Sequence, residues 1–391
     1  MIPKGFEFSA VMAGIKYKDR LDVGLVLCEA PAAAAGVFTR NTVVAAPVVV
    51  SRERVKSGFC RAILVNAGNA NACTGKQGYE DTLRTTATMA KTLGISPEEI
   101  LVCSTGVIGA PLPVETMERA MPGLAEALAG DIAPFAKSIM TTDLVEKVSS
   151  RRVKIGGVDV VVTGAAKGSG MIKPDMATML GFVVTDAKVS PKTLQEVLSG
   201  AAELSFNRIT VDGDTSTNDT LLMLASGLSG APAVESSPEA MKTFSKAVEE
   251  VCRDLARMIV RDGEGATKLV DITVTGAADD RAAKAIAFTI AESPLVKTAL
   301  HGEDPNWGRI AAALGRSGHF KGGEFGITVG DVPIVKAGAW LGTEAEKAAR
   351  EIMQGNEFGI TVEIFEGEGR ATVTTCDFSA GYISINANYR S

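Results

Sequence analysis

Histidine is almost missing from this chain. Only His301 and His319 occur among its 391 residues. Neither has a cysteine close by in sequence, which argues against a zinc site. A serine nucleophile with an imidazole base would have to rely on one of these two rings. An enzyme so poor in histidine needs another group that exchanges protons near neutrality. Cysteine is sparse too: Cys28, Cys60, Cys73, Cys103, Cys252 and Cys376 are scattered and form no CxxC pair. That usage suits reduced thiols in a cytosolic protein. Basic clusters are absent and the net charge is −6, so neither nucleic acid nor an anionic membrane surface is expected as a partner. No uncharged apolar run is long enough to span a bilayer. The start, Met1-Ile2-Pro3-Lys4-Gly5-Phe6, lacks the charged-then-apolar order of a signal peptide. A cytoplasmic location is therefore expected. Repeats at solenoid periods and low-complexity tracts are also lacking.

What is present is alternation. The length predicts two or three domains. Strands are expected at Asp22–Cys28, Val44–Val50, Ala62–Asn66 and Ile100–Cys103. Helices are expected at Glu80–Leu93, closed by Gly94, and at Pro113–Leu128 with a break near Pro122-Gly123. Strand–helix alternation implies parallel pairing with helical crossovers. The turns Asn66–Asn71 and Ser104–Gly109 would then lie at the carboxyl ends of strands, where open α/β sheets place ligands. A hairpin turns at Gly156-Gly157 within Val153–Thr163, and a strand follows at Thr178–Asp186. Ser190-Pro191 starts a helix, and Leu221–Ala225 is apolar. The longest helix, Ser237 to about Val260, carries Phe244, Val248, Val251, Leu255, Met258 and Ile259 on one stripe. It stops at Gly263, with Glu264 just beyond. Leu269–Thr275 and Asp280–Ile290 read as strand and helix. After roughly Pro294 come a helix at Trp307–Leu314, strands at Gly326–Val329 and Pro333–Val335, and a helix at Thr343–Met353. Strands Gly359–Ile364, Ala371–Asp377 and Tyr382–Asn386 end the chain.

The stretch Lys167–Gly181 organises the chemistry. A glycine-rich turn, Lys167-Gly168-Ser169-Gly170, leads past Pro174 and Asp175 into an apolar run from Thr178 to Val184. Walker spacing is absent and a strand follows the turn, not a helix, which disfavours a phosphate loop. Thr178 stands where the loop enters the strand, behind the small Ala177. One reading is an ordinary strand threonine. The other is a nucleophile made by chain cleavage. A break between Ala177 and Thr178 would give Thr178 a free α-amine of pKa about 7.7–8.0 beside its own hydroxyl. For an oxyanion hole the best candidate is Thr105-Gly106, where a glycine permits a turn that aims an N–H into a cavity. The same glycine also suits a plain βα turn. Lys167 reads either as a solvated cation or as a partner for a substrate carboxylate. Glu264 reads either as a surface acid or as a partner for a substrate amine.

Several stretches together resemble one family. They are Gly168–Ile172 with Met176–Leu180, Asn66–Asn71, Ser104–Gly109, Met140-Thr141-Thr142-Asp143, Asp212–Asp219, Asp262-Gly263-Glu264-Gly265, Asp304–Arg309 and Asn386–Tyr389. In this order they are similar to the ornithine acetyltransferase (glutamate N-acetyltransferase) family of arginine biosynthesis, from near Met1 to Ser391. The resemblance implies self-cleavage between Ala177 and Thr178. It implies a nucleophile and amine base at Thr178, and an oxyanion hole at Thr105 and Gly106. Substrate contacts are implied at Thr141 or the adjacent Thr142, with Thr141 preferred, and at Lys167, Thr178, Glu264, Asn386 and Ser391. The implied reaction is ping-pong transfer of acetyl from N2-acetylornithine to glutamate through acetyl-Thr178. No metal or organic cofactor is implied, and acetyl-CoA enters only as a further donor substrate. Asp304–Arg309 reads as structural, with Pro305 starting a turn and Trp307 packing. Asp175, Asp212 and Asp214 are candidates for positioning the scissile loop.

The fold class expected is mixed α/β: a layered α-β-β-α type sandwich around the cleavage site, an adjoining parallel α/β unit at about 40–145, and a smaller α+β part at about 295–391. Cleavage would give chains 1–177 and 178–391, held together and paired further as a heterotetramer. Two other readings use the same residues. A self-processing N-terminal-nucleophile amidase or aminopeptidase would hand the acyl group to water. A non-catalytic small-molecule binding protein would stay uncut.

Overall fold

The computed structural model describes residues 1–173 and 179–388. The expected junction at Ala177–Thr178 and the terminal Ser391 lie outside the described residues. In order, the elements are β1 (Phe6–Val11), β2 (Val23–Phe38), α1 (Ala46–Arg54), β3 (Phe59–Asn69), α2 (Gly75–Leu93), β4 (Ile100–Val107), α3 (Val114–Glu126), α4 (Ala133–Ser138), β5 (Lys147–Ile155), β6 (Val158–Lys167), β7 (Leu180–Thr185), α5 (Pro191–Leu204), β8 (Ile209–Thr210), β9 (Thr220–Ala225) and α6 (Pro238–Arg261). There follow β10 (Leu269–Ala277), α7 (Asp280–Ala291), α8 (Pro294–His301), α9 (Trp307–Gly315), β11 (Phe325–Val329), β12 (Val332–Lys336), β13 (Ala339–Trp340), α10 (Thr343–Met353), β14 (Glu357–Ile364), β15 (Gly369–Cys376) and α11 (Ala380–Asn388). The chain is mixed α/β, as expected, and is built on two mixed sheets. It divides into two compact units. Among the described residues, one comprises Met1–Asn207 and Asp214–Ile259; the other comprises Arg208–Gly213 and residues 260–388.

The first unit holds a sheet in the order β4-β3-β2-β9-β7-β6-β5, with β1 also on β2. The β3–β4 and β7–β9 pairs are parallel. The long β2 runs antiparallel to β1, β3 and β9. Within 40–145 the expected parallel pairing is therefore the β3–β4 pair. Successive residues of one strand feed opposite cores, as strand geometry requires. Val23 and Leu25 join Ala62, Leu64, Met89 and Met117 on one face. Val26 and Cys28 join Ile63, Val65, Phe135 and Phe182 on the other. A central strand buried on both faces needs an unbroken apolar run, which Ala62–Val65 supplies. On α6, Phe244, Val248, Val251, Leu255 and Ile259 are buried, whereas Met258, expected on the same stripe, is only half-buried at its margin.

The second unit holds a sheet in the order β13-β12-β11-β14-β10-β15-β8. Its core sets Val270, Ile272 and Val274 of β10 against Ala283, Ile286, Ala287 and Ile290 of α7. Trp307 packs on that core, and Asn306 caps α9 by accepting from the Arg309 N–H.

Three local expectations are corrected. Val44–Val50 is not a strand, because α1 starts at Ala46. Pro47 sits in its first turn, where a preset φ helps and a missing N–H costs nothing. Arg52 and Arg54 in the last turn favour the helix dipole. Pro122 does not break α3, which runs through it with Val114, Met117, Met121 and Leu124 buried. That packed stripe outweighs one lost backbone hydrogen bond. Tyr382–Asn386 is helical. Its alternating Tyr-Ile-Ser-Ile-Asn resembles a strand, but the Ser379 hydroxyl accepts from the Gly381 N–H at 3.0 Å and starts a helix. The side-chain amides of Asn386 and Asn388 also donate to the carbonyls of Tyr382 and Ser384, four residues back.

Candidate active site

In the first unit, the loop-facing ends of β4 and β6 bring two expected residues together. Lys167, the last residue of β6, is buried, and its Nζ donates to Thr105 Oγ1 at 3.4 Å. Burial removes the solvated-cation reading of Lys167. Gly106 follows with φ +130, and a Cβ there would lie 2.3 Å from the Gly68 carbonyl carbon. Only glycine admits this approach of β4 to β3.

Asp143 ties this region to the preceding loop. Its Oδ1 accepts from Lys147 Nζ at 2.7 Å and from the Gly168 N–H at 2.7 Å. Its Oδ2 accepts from the Thr141 N–H at 3.0 Å. Burial alone would raise its pKa, yet the Lys167 and Lys147 charges and these hydrogen bonds hold the carboxyl down to about 2. Thr142 Oγ1 and Ser169 Oγ lie 2.7 Å apart. The threonine pair and the glycine-rich turn, separate motifs in sequence, are thus one hydrogen-bonded construction. In the sequence, Asp143 appears only within the Met140–Asp143 motif and Lys147 stands in no motif, so neither carries a role there. The available signal is the Asp143-x-x-x-Lys147 spacing, which sets an acid and a base four residues apart at the start of β5.

The Asp212–Asp219 motif divides between the units. Its later part braces the stretch around the expected junction from both sides. Thr215 Oγ1 donates to the Lys173 carbonyl at 3.0 Å, and the Thr220 N–H donates to the Met179 carbonyl at 3.1 Å. Asn218 Nδ2 donates to the carbonyls of Ala70 and Ser104, tying in the two strand-end turns. Asn66, Asn69 and Asn71 spend side-chain groups on nearby backbone and hydroxyl partners. Their contribution is to shape the turns.

The second unit joins another expected pair. Glu264 is 7% exposed, and its Oε2 accepts from Asn386 Nδ2 at 2.8 Å. Around it, Ser379 Oγ donates to the Gly265 carbonyl at 2.6 Å. Gly265 has φ +69, and a Cβ there would meet the Tyr382 nitrogen at 2.4 Å. The loop after α6 and the start of α11 are therefore in backbone contact. Ala177, Thr178 and Ser391 lie outside the described residues, so the geometry covers Thr105, Gly106, Thr141, Lys167, Glu264 and Asn386.

Buried ammonium and carboxylate groups at strand ends and on an adjoining loop are typical of enzymes that handle small charged molecules. The comparisons give the family. A sequence model of the ArgJ family matches residues 7–391. The arginine biosynthesis bifunctional protein ArgJ of Geobacter sulfurreducens is 49% identical over 389 residues, 99% of each chain. The protein of the same name from Desulfotalea psychrophila is 49% identical over 390 residues, again 99% of each. Among solved structures, the ArgJ protein of Bacillus halodurans is 42% identical with a TM-score of 0.51, covering 53% of this chain and 98% of its own. This chain belongs to the ArgJ family.

Proposed function

We propose that the protein is a glutamate N-acetyltransferase that moves acetyl from N2-acetylornithine to glutamate. The observation that carries this reading is full-length likeness, at 49% identity, to arginine biosynthesis bifunctional proteins. The buried strand-end chemistry supports it. In this reading the chain cuts itself between Ala177 and Thr178. The Thr178 hydroxyl, deprotonated by its new α-amine, attacks the acetyl carbonyl. Ornithine departs with the proton, and the glutamate amine then attacks the acetyl ester to release N-acetylglutamate.

The residues take these roles. The Thr105 hydroxyl accepts from Lys167, which leaves its proton to point at the oxyanion beside the Gly106 N–H. Lys167 meets the substrate carboxylate, and Thr141, Asn386 and Ser391 complete the contacts. Glu264 acts on the substrate amine. No organic cofactor or metal takes part. The two halves stay together as a heterotetramer in the cytoplasm. The word bifunctional in the relatives' names favours a second donor, for which we propose acetyl-CoA.

Intact mass spectrometry and a transfer assay test this reading. Wild type should give two fragments, and Thr178→Ala one uncut and inactive chain. Acetyl should leave acetylornithine far faster with glutamate present than without it. Release to water at the same rate would make the protein an amidase instead.

A further inference from the structure

We propose that Ser379 is a positioning residue for Glu264. It acts through the loop that carries the carboxylate and not by touching substrate. The inference rests on the reading above, in which Glu264 meets the substrate amine.

Glu264 sits on a short connection between α6 and β10, and that connection is clamped on its far side by two neighbouring residues. Asp377 takes Thr267 and Lys268: its Oδ1 accepts from both N–H groups, at 2.7 and 2.8 Å, and its Oδ2 accepts from Thr267 Oγ1 at 2.7 Å. His301 Nδ1 closes on the same carboxylate at 2.7 Å. Asp377 is 1% exposed. Burial opposes its charge, but these hydrogen bonds keep its pKa below the ordinary value. Two residues on, Ser379 takes the Gly265 carbonyl, and its hydroxyl also accepts from Gly381 at the start of α11. One side chain therefore fixes the residue next to Glu264 and begins the helix that delivers Asn386.

The division of labour follows from the partners. Asp377 binds three donors of the loop and one ring, so its loss would loosen the end of β15 as a whole. Ser379 makes a single bond to the loop. α11 buries none of its own residues, and its Tyr382 ring stacks on Phe378 of the same segment and not on the Glu264 loop, so this packing does not replace the hydroxyl. Losing it should let Gly265 and the first turn of α11 drift apart, and with them Glu264 and Asn386. Displacements on the scale of 1 Å cost as much as about 100-fold in rate.

The experiment is a double-mutant cycle on the self-processed protein with acetylornithine and glutamate. Ser379→Ala should cut kcat/KM by about 10- to 100-fold, with wild-type self-cleavage and thermal midpoint. Ser379→Thr, which keeps the hydroxyl, should restore most of the activity. In a Glu264→Gln background, Ser379→Ala should cost far less than in wild type, leaving only the several-fold effect expected from displacing Asn386. Losses that multiply in the double variant would overturn the proposal, as would no rescue by threonine. If Glu264→Gln leaves turnover unchanged, the role of Glu264 fails. In that outcome, a large Ser379→Ala effect would assign the serine to something other than Glu264.

Discussion

The two polar clusters differ in what holds them. In the first unit, Thr105 and Lys167 stand on strands of a wide sheet, and Asp143 joins them from a buried position. In the second, Glu264 stands on a loop and Asn386 on a helix with no buried residue. Strand-borne groups inherit the rigidity of a packed sheet, whereas loop-borne groups depend on particular hydrogen bonds. The first cluster should therefore fail by unfolding or mispairing of charge. The second should fail by losing geometry while the fold persists. The comparison can be broken at four places, taken from the largest effect to the smallest.

Gly106 is the first. Alanine there would combine a left-handed φ with a contact 2.3 Å from the Gly68 backbone. Strain and overpacking together should cost about 3–5 kcal/mol, a large share of a domain's ~5–15 kcal/mol. Denaturant unfolding of Gly106→Ala should show a much lower midpoint or insoluble protein. A wild-type midpoint would show that β4 is free to shift, and the rigid side of the comparison would fall. Because of this cost, the proposed oxyanion role is better probed at Thr105→Val.

Asp143 is the second. Asp143 and Lys147 are both 0% exposed in their side chains. Removing one partner of a buried ion pair costs about 3–5 kcal/mol. Asp143→Ala should lose that much in chemical denaturation. The same group sets an acid limit. Its folded pKa lies below the unfolded value of about 3.9. The stability it contributes is thus present in full above that value and is lost as pH falls through about 2. Wild type should lose stability across that window more steeply than Asp143→Asn. Parallel curves would mean that the pair adds nothing to folding.

Lys167 is the third, and it separates binding from scaffolding. The Lys167→Ala protein should lose roughly 100-fold in kcat/KM for both acetylornithine and glutamate, about 3 kcal/mol. It should do so on correctly cleaved protein. Retention of both constants within about twofold would move the carboxylate partner elsewhere.

How much of this was legible in the sequence follows from the range of each interaction. The helix at Asp280–Ile290 and the stripe on α6 were readable because their signal is local periodicity. Gly94 was readable as a helix end, and it caps α2 at φ +67. Val44–Val50 misled because β-branched residues outvoted a single proline. The Tyr382–Asn386 alternation misled because Ser379, the residue that starts the helix, lies outside it. The burial of Lys167 could not be read at all, since it depends on the Asp143 charge and on Thr105, 62 positions away in the chain. Glu264 and Asn386 are 122 positions apart, and only the family resemblance named both.

Asn386 is the last and mildest test, and it bears on the loop-borne side. Its amide donates to a carboxylate that is 7% exposed, and hydrogen bonds to charged groups are worth about 1.5–3 kcal/mol. The residue itself is exposed on a helix without buried side chains, so water can replace part of the bond. Asn386→Ala should therefore cost only about 1 kcal/mol in global stability. It should raise the KM for the amino-acid substrates several-fold, and Asn386→Asp should be worse, because it sets a second carboxylate against Glu264. Steady-state kinetics and a melting curve on both variants decide between the alternatives. If Asn386→Ala lowers the thermal midpoint as much as Asp143→Ala does, α11 is a structural support like the sheet, and the distinction between the two clusters disappears. If Asn386→Asp matches wild type, the hydrogen bond does not form in solution and Glu264 is held by the Gly265 side of its loop alone.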